Sequence, residues 1–264
     1  MNWRRLVVAV YCISSVACAG SIVRPVVTPS APAKDALLVL PGFGYGRGGE
    51  HAFRSLAPSM AKDGVDLYVA KFVDRSGLDD SRERLRAFIR AQRLERYDRV
   101  HVFAFLAGGW TFNPIADHDL LPNLSTVVYD RSPYQERAPR IAMEKLHFLA
   151  WLKYGPVVFD VAKTAYAPLE ANDVKVGLVI ETTPTSFIKR HAADAQRQGP
   201  YAFGCDAFNQ RHDDCAYVAK SHNELYTDFA DVWPEVRAFI KTGRFTTSAN
   251  RMAPALILEV TSRD

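Results

Sequence analysis

The stretch CDAFNQRHDDCAYVAKSHNELYTD, residues 205–228, concentrates side chains suited to moving protons: Asp206, His212, Asp213, Asp214 and His222. An imidazole changes charge near neutral pH, and a carboxylate beside it sets its tautomer, so histidine with an acid is the usual general base. Such a base still needs a nucleophile or a water to act on. His212 with Asp213 and Asp214 would also attract a hard cation, but three ligand types in a row without a glycine turn do not make a calcium loop. A zinc site around Cys205 and Cys215 would have only His212 near it. The sequence therefore predicts no metal and no cofactor.

A second chemical feature lies near the start of the folded body, in LLVLPGFGYGRGGEHAF, residues 37–53. Gly44 to Gly49 satisfies the GxGxxG spacing between a strand and a helix, with Asp74 further on as a ribose partner, which is the dinucleotide-binding arrangement. Fingerprint glycines usually follow their strand directly, whereas Leu40-Pro41-Gly42-Phe43 intervenes here. A dinucleotide site is one alternative, and a plain strand-to-helix loop is the other.

The elements that must position these residues alternate. Short apolar runs at 36–40, 65–72, 99–105, 125–129, 174–180 and 215–220 read as strands. Between them, helical periods occupy 51–62, 79–94, the residues after Gly108, 138–167, 186–196 and 223–240. Strand and helix in turn predict an α/β domain with a mostly parallel central sheet flanked by helices. The segment from Ala138 to Ala167 carries Leu146, Phe148, Leu149, Trp151, Leu152 and Phe159 on more than one face, so it is buried or it covers something.

Four motifs then follow one another in order: LPGFGYG, FAFLAGGW, RSPYQERA and SHNELYTD. In that order and spacing the chain resembles the α/β-hydrolase superfamily on its lipase-like and esterase-like side, from about Asp35 to Phe245. The resemblance implies a single domain with a cleft at the C-terminal ends of the strands and a helical cap, here about 138–167. It places the nucleophile elbow GxSxG on Ala104-Phe105-Leu106-Ala107-Gly108, which leaves Leu106 where the serine belongs. Leucine has no nucleophilic atom and no base can activate it. The backbone N–H groups of Phe43 and Ala107 would form the oxyanion hole, and His222 would be the base. Asp214 and Asp213 are the preferred acids, Asp206 the next and Glu181 the third. Ser132, in the segment after the usual sixth strand, is the candidate substitute nucleophile, although a serine there more often caps a turn.

With 264 residues and 48% hydrophobic content the chain supports one sizeable core. A formal charge of +4 is mild, and the arginines of residues 82–99 are interrupted by Glu83, Glu95 and Asp98, as on a solvated helix face, so no nucleic-acid partner is expected. The N-terminus, MNWRRLVVAVYCISSVACAG, has Arg4 and Arg5, an apolar run from Leu6 to Val16 and then small residues. This predicts a signal peptide over 1–19, a proline-bearing linker over 20–34 and a domain over 35–264. Cleavage after Ala19 would release a periplasmic or secreted protein, whereas Ser15-Val16-Ala17-Cys18 as a lipobox would leave an outer-membrane lipoprotein anchored at Cys18. In an oxidising compartment Cys205 and Cys215 are a disulfide candidate, with two buried thiols as the alternative. Three functions compete: a hydrolase-like protein without ordinary serine-hydrolase activity that binds an apolar or acyl ligand or a protein partner, an active carboxylic-ester hydrolase with an unusual nucleophile, and a dinucleotide binder.

Overall fold

The computed structural model describes residues 34–254; the expected signal peptide, Cys18 and nearly all of the expected linker lie outside the described residues. The apolar runs form strands β1 (Asp35–Leu40), β2 (Val65–Val69), β3 (Arg99–Ala104), β4 (Leu124–Arg131), β5 (Lys175–Glu181) and β6 (Asp214–Val218). All pair in parallel, in the order β2-β1-β3-β4-β5-β6. Parallel strands need crossovers, and the helices that supply them cover both faces of the sheet. Side chains alternate accordingly. Leu38, Leu40, Val102 and Ala104 point into one core, while Leu37, Val39 and Phe103 point into the other.

The helices are α1 (Arg47–Lys62), α2 (Leu78–Gln92), α3 (Leu106–Phe112), α4 (Ala138–Lys145), α5 (His147–Tyr154), α6 (Val157–Lys163), α7 (Ser186–Arg190), α8 (Ala192–Gln196), α9 (His222–Thr227) and α10 (Phe229–Thr242). The expected strand over 65–72 stops at Val69, because its partner β1 turns away at Pro41 after the pair Val39 and Val69. The helix expected over 223–240 is two, broken at Asp228, whose carboxylate is held by Lys220 and Thr227. The segment after β4 is three short helices rather than one, interrupted at Leu146 and at Gly155-Pro156.

Chain order reverses beside β1: β2 lies on one side and β3 on the other. In an open α/β sheet the crevice beyond the strand ends at such a switch point is the usual ligand site. Here it is bounded by the loop after β1 and the start of α3, and the helices α4 to α6 roof it.

Candidate functional site

The turn from β3 to α3 is tight for a steric reason. A Cβ on Gly108 would stand 2.6 Å from the Leu40 carbonyl oxygen, so only glycine lets the helix begin so close to β1. Phe105 takes an extended conformation as N-cap, and Leu106 is the first helical residue, with its side chain lining the cavity. Among the described residues the sole non-glycine with positive φ is Arg93. Leu106 therefore lacks the strained backbone that lifts a nucleophile out of a GxSxG turn.

His222 is placed by a capping box. Ser221 is the N-cap of α9, and the Glu224 side chain returns to the Ser221 N–H at 2.7 Å, which makes His222 the first helical residue and puts Tyr226 one turn later on the same face. His222 Nδ1 lies 2.8 Å from Glu181 Oε1 and 3.1 Å from Asp130 Oδ2. These carboxylates end β5 and precede the last residue of β4, and both are fully buried. On the other side of the ring, His222 Nε2 is 3.1 Å from the Tyr226 hydroxyl. That hydroxyl also accepts the Gly42 N–H at 2.9 Å and faces the Phe43 carbonyl at 3.4 Å. A Cβ on Gly42 would touch both the Tyr226 hydroxyl and Ala107, so the loop after β1, the start of α3 and Tyr226 meet at one point.

The electrostatics follow from this burial. Burial alone disfavours an imidazolium, but the charge of Glu181 and the hydrogen bonds of Asp130 and Glu181 outweigh it and raise His222 to about 10. Burial, then the charge of Asp130, pushes Glu181 well above the ordinary carboxyl range. The two acids thus hold the buried imidazole toward its charged form, while burial holds Glu181 toward its neutral one. Burial also raises Tyr226 well above the ordinary phenol range, so it stays neutral. With a charged ring, both nitrogens would donate and the phenol oxygen would accept from His222 and Gly42 with its own proton toward Phe43, while Asp130 Oδ1 and Glu181 Oε2 are buried without a partner.

Against the expectations from sequence, the acids are reassigned. Asp213 and Asp214 stand at the start of β6, at the opposite end of the sheet from His222. Asp213 accepts from the Val176 N–H and from Lys175, and Asp214 from the Phe245 N–H and Arg251. Asp206 is fully exposed, with His212 3.9 Å away. Glu181, ranked third from sequence, and Asp130, not considered there, hold the histidine instead. Ser132 is buried and its Oγ accepts the Gln135 N–H at 3.1 Å, which is the turn-capping role and not that of a nucleophile. Of the two expected oxyanion donors, Ala107 is in place at the second position of α3, where its N–H has no helical acceptor. The donor seen on the other loop is Gly42 rather than Phe43, and Tyr226 occupies it. Asp74 is engaged locally by the Ser76 N–H and Arg84. Cys205 and Cys215 are joined by a disulfide. Ligand atoms of Asp130, Glu181 and His222 fall within 4.8 Å of one another, the one grouping among the described residues with the spacing to hold a metal.

Above this network lies a cavity of about 610 Å³, within the usual size range of small-molecule sites. Its walls are mainly apolar, with Leu106, Trp110, Ala142, Leu149, Val158 and Val161 among them, and His222 and Tyr226 also line it.

No protein-family model matches the sequence, and no curated protein does. Solved structures do. The mature form of the Bacillus licheniformis lipase BlEst2 is similar over 83% of this chain and 96% of its own, with a TM-score of 0.53 and 14% identity. The type II thioesterase BorB of the borrelidin biosynthetic cluster is similar over 84% and 95%, with a TM-score of 0.50 and 14% identity. The chain has the α/β-hydrolase fold. Within that fold, Leu106 opens the helix after β3, His222 opens the helix after β6, and Asp130 and Glu181 lie at the C-terminal ends of β4 and β5.

Proposed function

We propose that this chain is a hydrolase-fold protein that does not cleave esters and uses its cleft to bind an apolar or acyl-bearing small molecule. The observation that carries this reading is the Tyr226 hydroxyl, bonded at once to His222 Nε2 and to the Gly42 N–H. It stands where a serine hydroxyl would face the base, and it takes one amide that an oxyanion would need. A histidine already protonated on both nitrogens has no lone pair with which to accept a proton at neutral pH. Leu106 adds an apolar wall where the nucleophilic oxygen would be, so the same substitution that removes chemistry extends the binding surface. His222 then persists for structure: it ties α9 to the ends of β4 and β5.

The test is calorimetric titration with a saturated fatty acid, alongside an assay on short-chain and long-chain nitrophenyl esters. Binding without turnover is expected, and Ala142→Trp, which fills the cavity, abolishes the binding. Turnover well above the uncatalysed rate, or no change in binding in Ala142→Trp, overturns the reading. Export through residues 1–19, with release or lipid attachment at Cys18, is part of the same proposal and is read by sequencing the N-terminus of the protein recovered from cells.

A further inference from the structure

The cap bears an apolar surface that the cavity does not explain. Phe148, Leu149, Trp151 and Leu152, all on α5, are between 47% and 68% exposed, and Ala150 is the one buried residue of that helix. A soluble surface scatters such residues singly, so four on one eight-residue helix mark a contact face. We propose that this face of α5 docks on an anionic phospholipid bilayer.

Three observations select a bilayer over a second protein. The first is charge: α5 contains no acid, and Lys153 and Arg75 beside the apolar face have no carboxylate partner among the described residues. Lys145 on the preceding turn is half-engaged with Asp194 at 3.4 Å, and Glu144 precedes the patch on α4. A face of tryptophan, phenylalanine and leucine with unpaired cations at its rim suits the boundary between acyl chains and anionic headgroups.

The second concerns the helix end. Carbonyls in the last turn of a helix lack internal donors, which is costly when the surroundings are hydrocarbon instead of water. Here Arg75 donates to the carbonyls of Leu152 at 2.7 Å and Lys153 at 2.8 Å, and reaches that of Trp151 at 3.5 Å. Gly155, at φ +79°, permits this, since a Cβ there would stand 2.3 Å from the Arg75 carbonyl oxygen. Together with the Gly155 N–H, which donates to the Trp151 carbonyl at 2.8 Å, Arg75 thus satisfies three of the last four carbonyls of α5.

The third is position. Leu149 and Lys153 belong both to the exposed face and to the lining of the cavity, so docking through α5 would set the cavity mouth against the bilayer. The docking stands or falls independently of what the cavity holds.

The experiment uses the processed protein recovered from cells, free of residues 1–19 and so of Trp3, with vesicles of phosphatidylcholine alone and of phosphatidylcholine mixed with phosphatidylglycerol. Tryptophan emission should shift to the blue on the mixed vesicles and less on the neutral ones, and the shift should vanish in Trp151→Phe, a readout local to α5. In flotation, Phe148→Ser/Leu152→Ser should partition at least about tenfold more weakly. A shift that survives Trp151→Phe, undiminished flotation of the double variant, or equal response to both vesicle types overturns the proposal. So does sedimentation as a dimer that Trp151→Asp dissociates, because the face would then be covered by a second copy.

Discussion

The Tyr226 hydroxyl and His222 Nε2 stand 3.1 Å apart, one helical turn from each other on α9, and the same hydroxyl accepts the Gly42 N–H from the loop after β1. The site is closed from within by a residue that the elbow motif does not contain.

Tyr226→Phe removes the oxygen and leaves two buried donors, the Gly42 N–H and the His222 Nε2–H, without acceptors. A buried donor without a partner costs about 1–3 kcal/mol. Thermal denaturation should show a loss of that size, with ester turnover still at background. A variant as stable as the parent contradicts the network. Labelling of Tyr226 itself by a fluorophosphonate in the parent chain would instead make this tyrosine the unusual nucleophile.

Leu106→Ser restores the missing oxygen but neither the backbone strain of an elbow nor a free base. Turnover of nitrophenyl esters is expected to remain at background. A gain of about a hundredfold or more over the parent would mean that His222 can accept the serine proton, against the assignment made here.

Protonation makes stability depend on pH with a definite sign. His222 is raised to about 10 in the folded chain, from an unfolded value near 6.5, and Glu181 is raised as well. In the window between those values the folded state binds more protons than the unfolded one, so stability falls as pH rises. The His222 contribution is complete below about pH 6.5 and lost as pH rises through about 10. Denaturant unfolding from pH 6 to 10 should give this decline in the parent and a flatter profile in His222→Gln; parallel profiles contradict it.

The disulfide between Cys205 and Cys215 closes a short loop onto β6, with a sequence separation of 10. Loops of that length gain about 3 kcal/mol at most from closure. Cys205→Ser/Cys215→Ser should unfold at correspondingly lower denaturant, and a non-reducing peptide map of the parent should show one cross-linked pair. Two free thiols in exported protein would contradict the bond.

Much of this was legible in the residues, and the failures have physical causes. The alternation of apolar runs and helical periods identifies the sheet, and Gly108 and His222 mark the two helix starts that meet at the cavity. Asp130 goes unnoticed and Glu181 ranks only third because Asp213 and Asp214 are nearer to His222 in sequence, yet those two sit at the N-terminal end of β6. In a parallel sheet, one strand of five residues separates the two ends by about 16 Å. The usable signal was an acid closing an apolar strand, as in VVYD and LVIE, since all such ends converge on one edge. Tyr226 carried a signal as well, the four-residue spacing from His222 within one helix, but no motif assigns it. The exposed side of α5 could not be read, because an apolar helix looks the same in sequence whether it covers a core or faces outward.

Nitrogen NMR of histidine-labelled protein reads directly whether His222 is an imidazolium at neutral pH. At pH 7.5 both ring nitrogens of His222, assigned by comparison with His222→Gln, should carry protons and keep them until the pH approaches about 10. A His222 ring with one unprotonated nitrogen at pH 7.5 would contradict this and return the histidine to the role of a base.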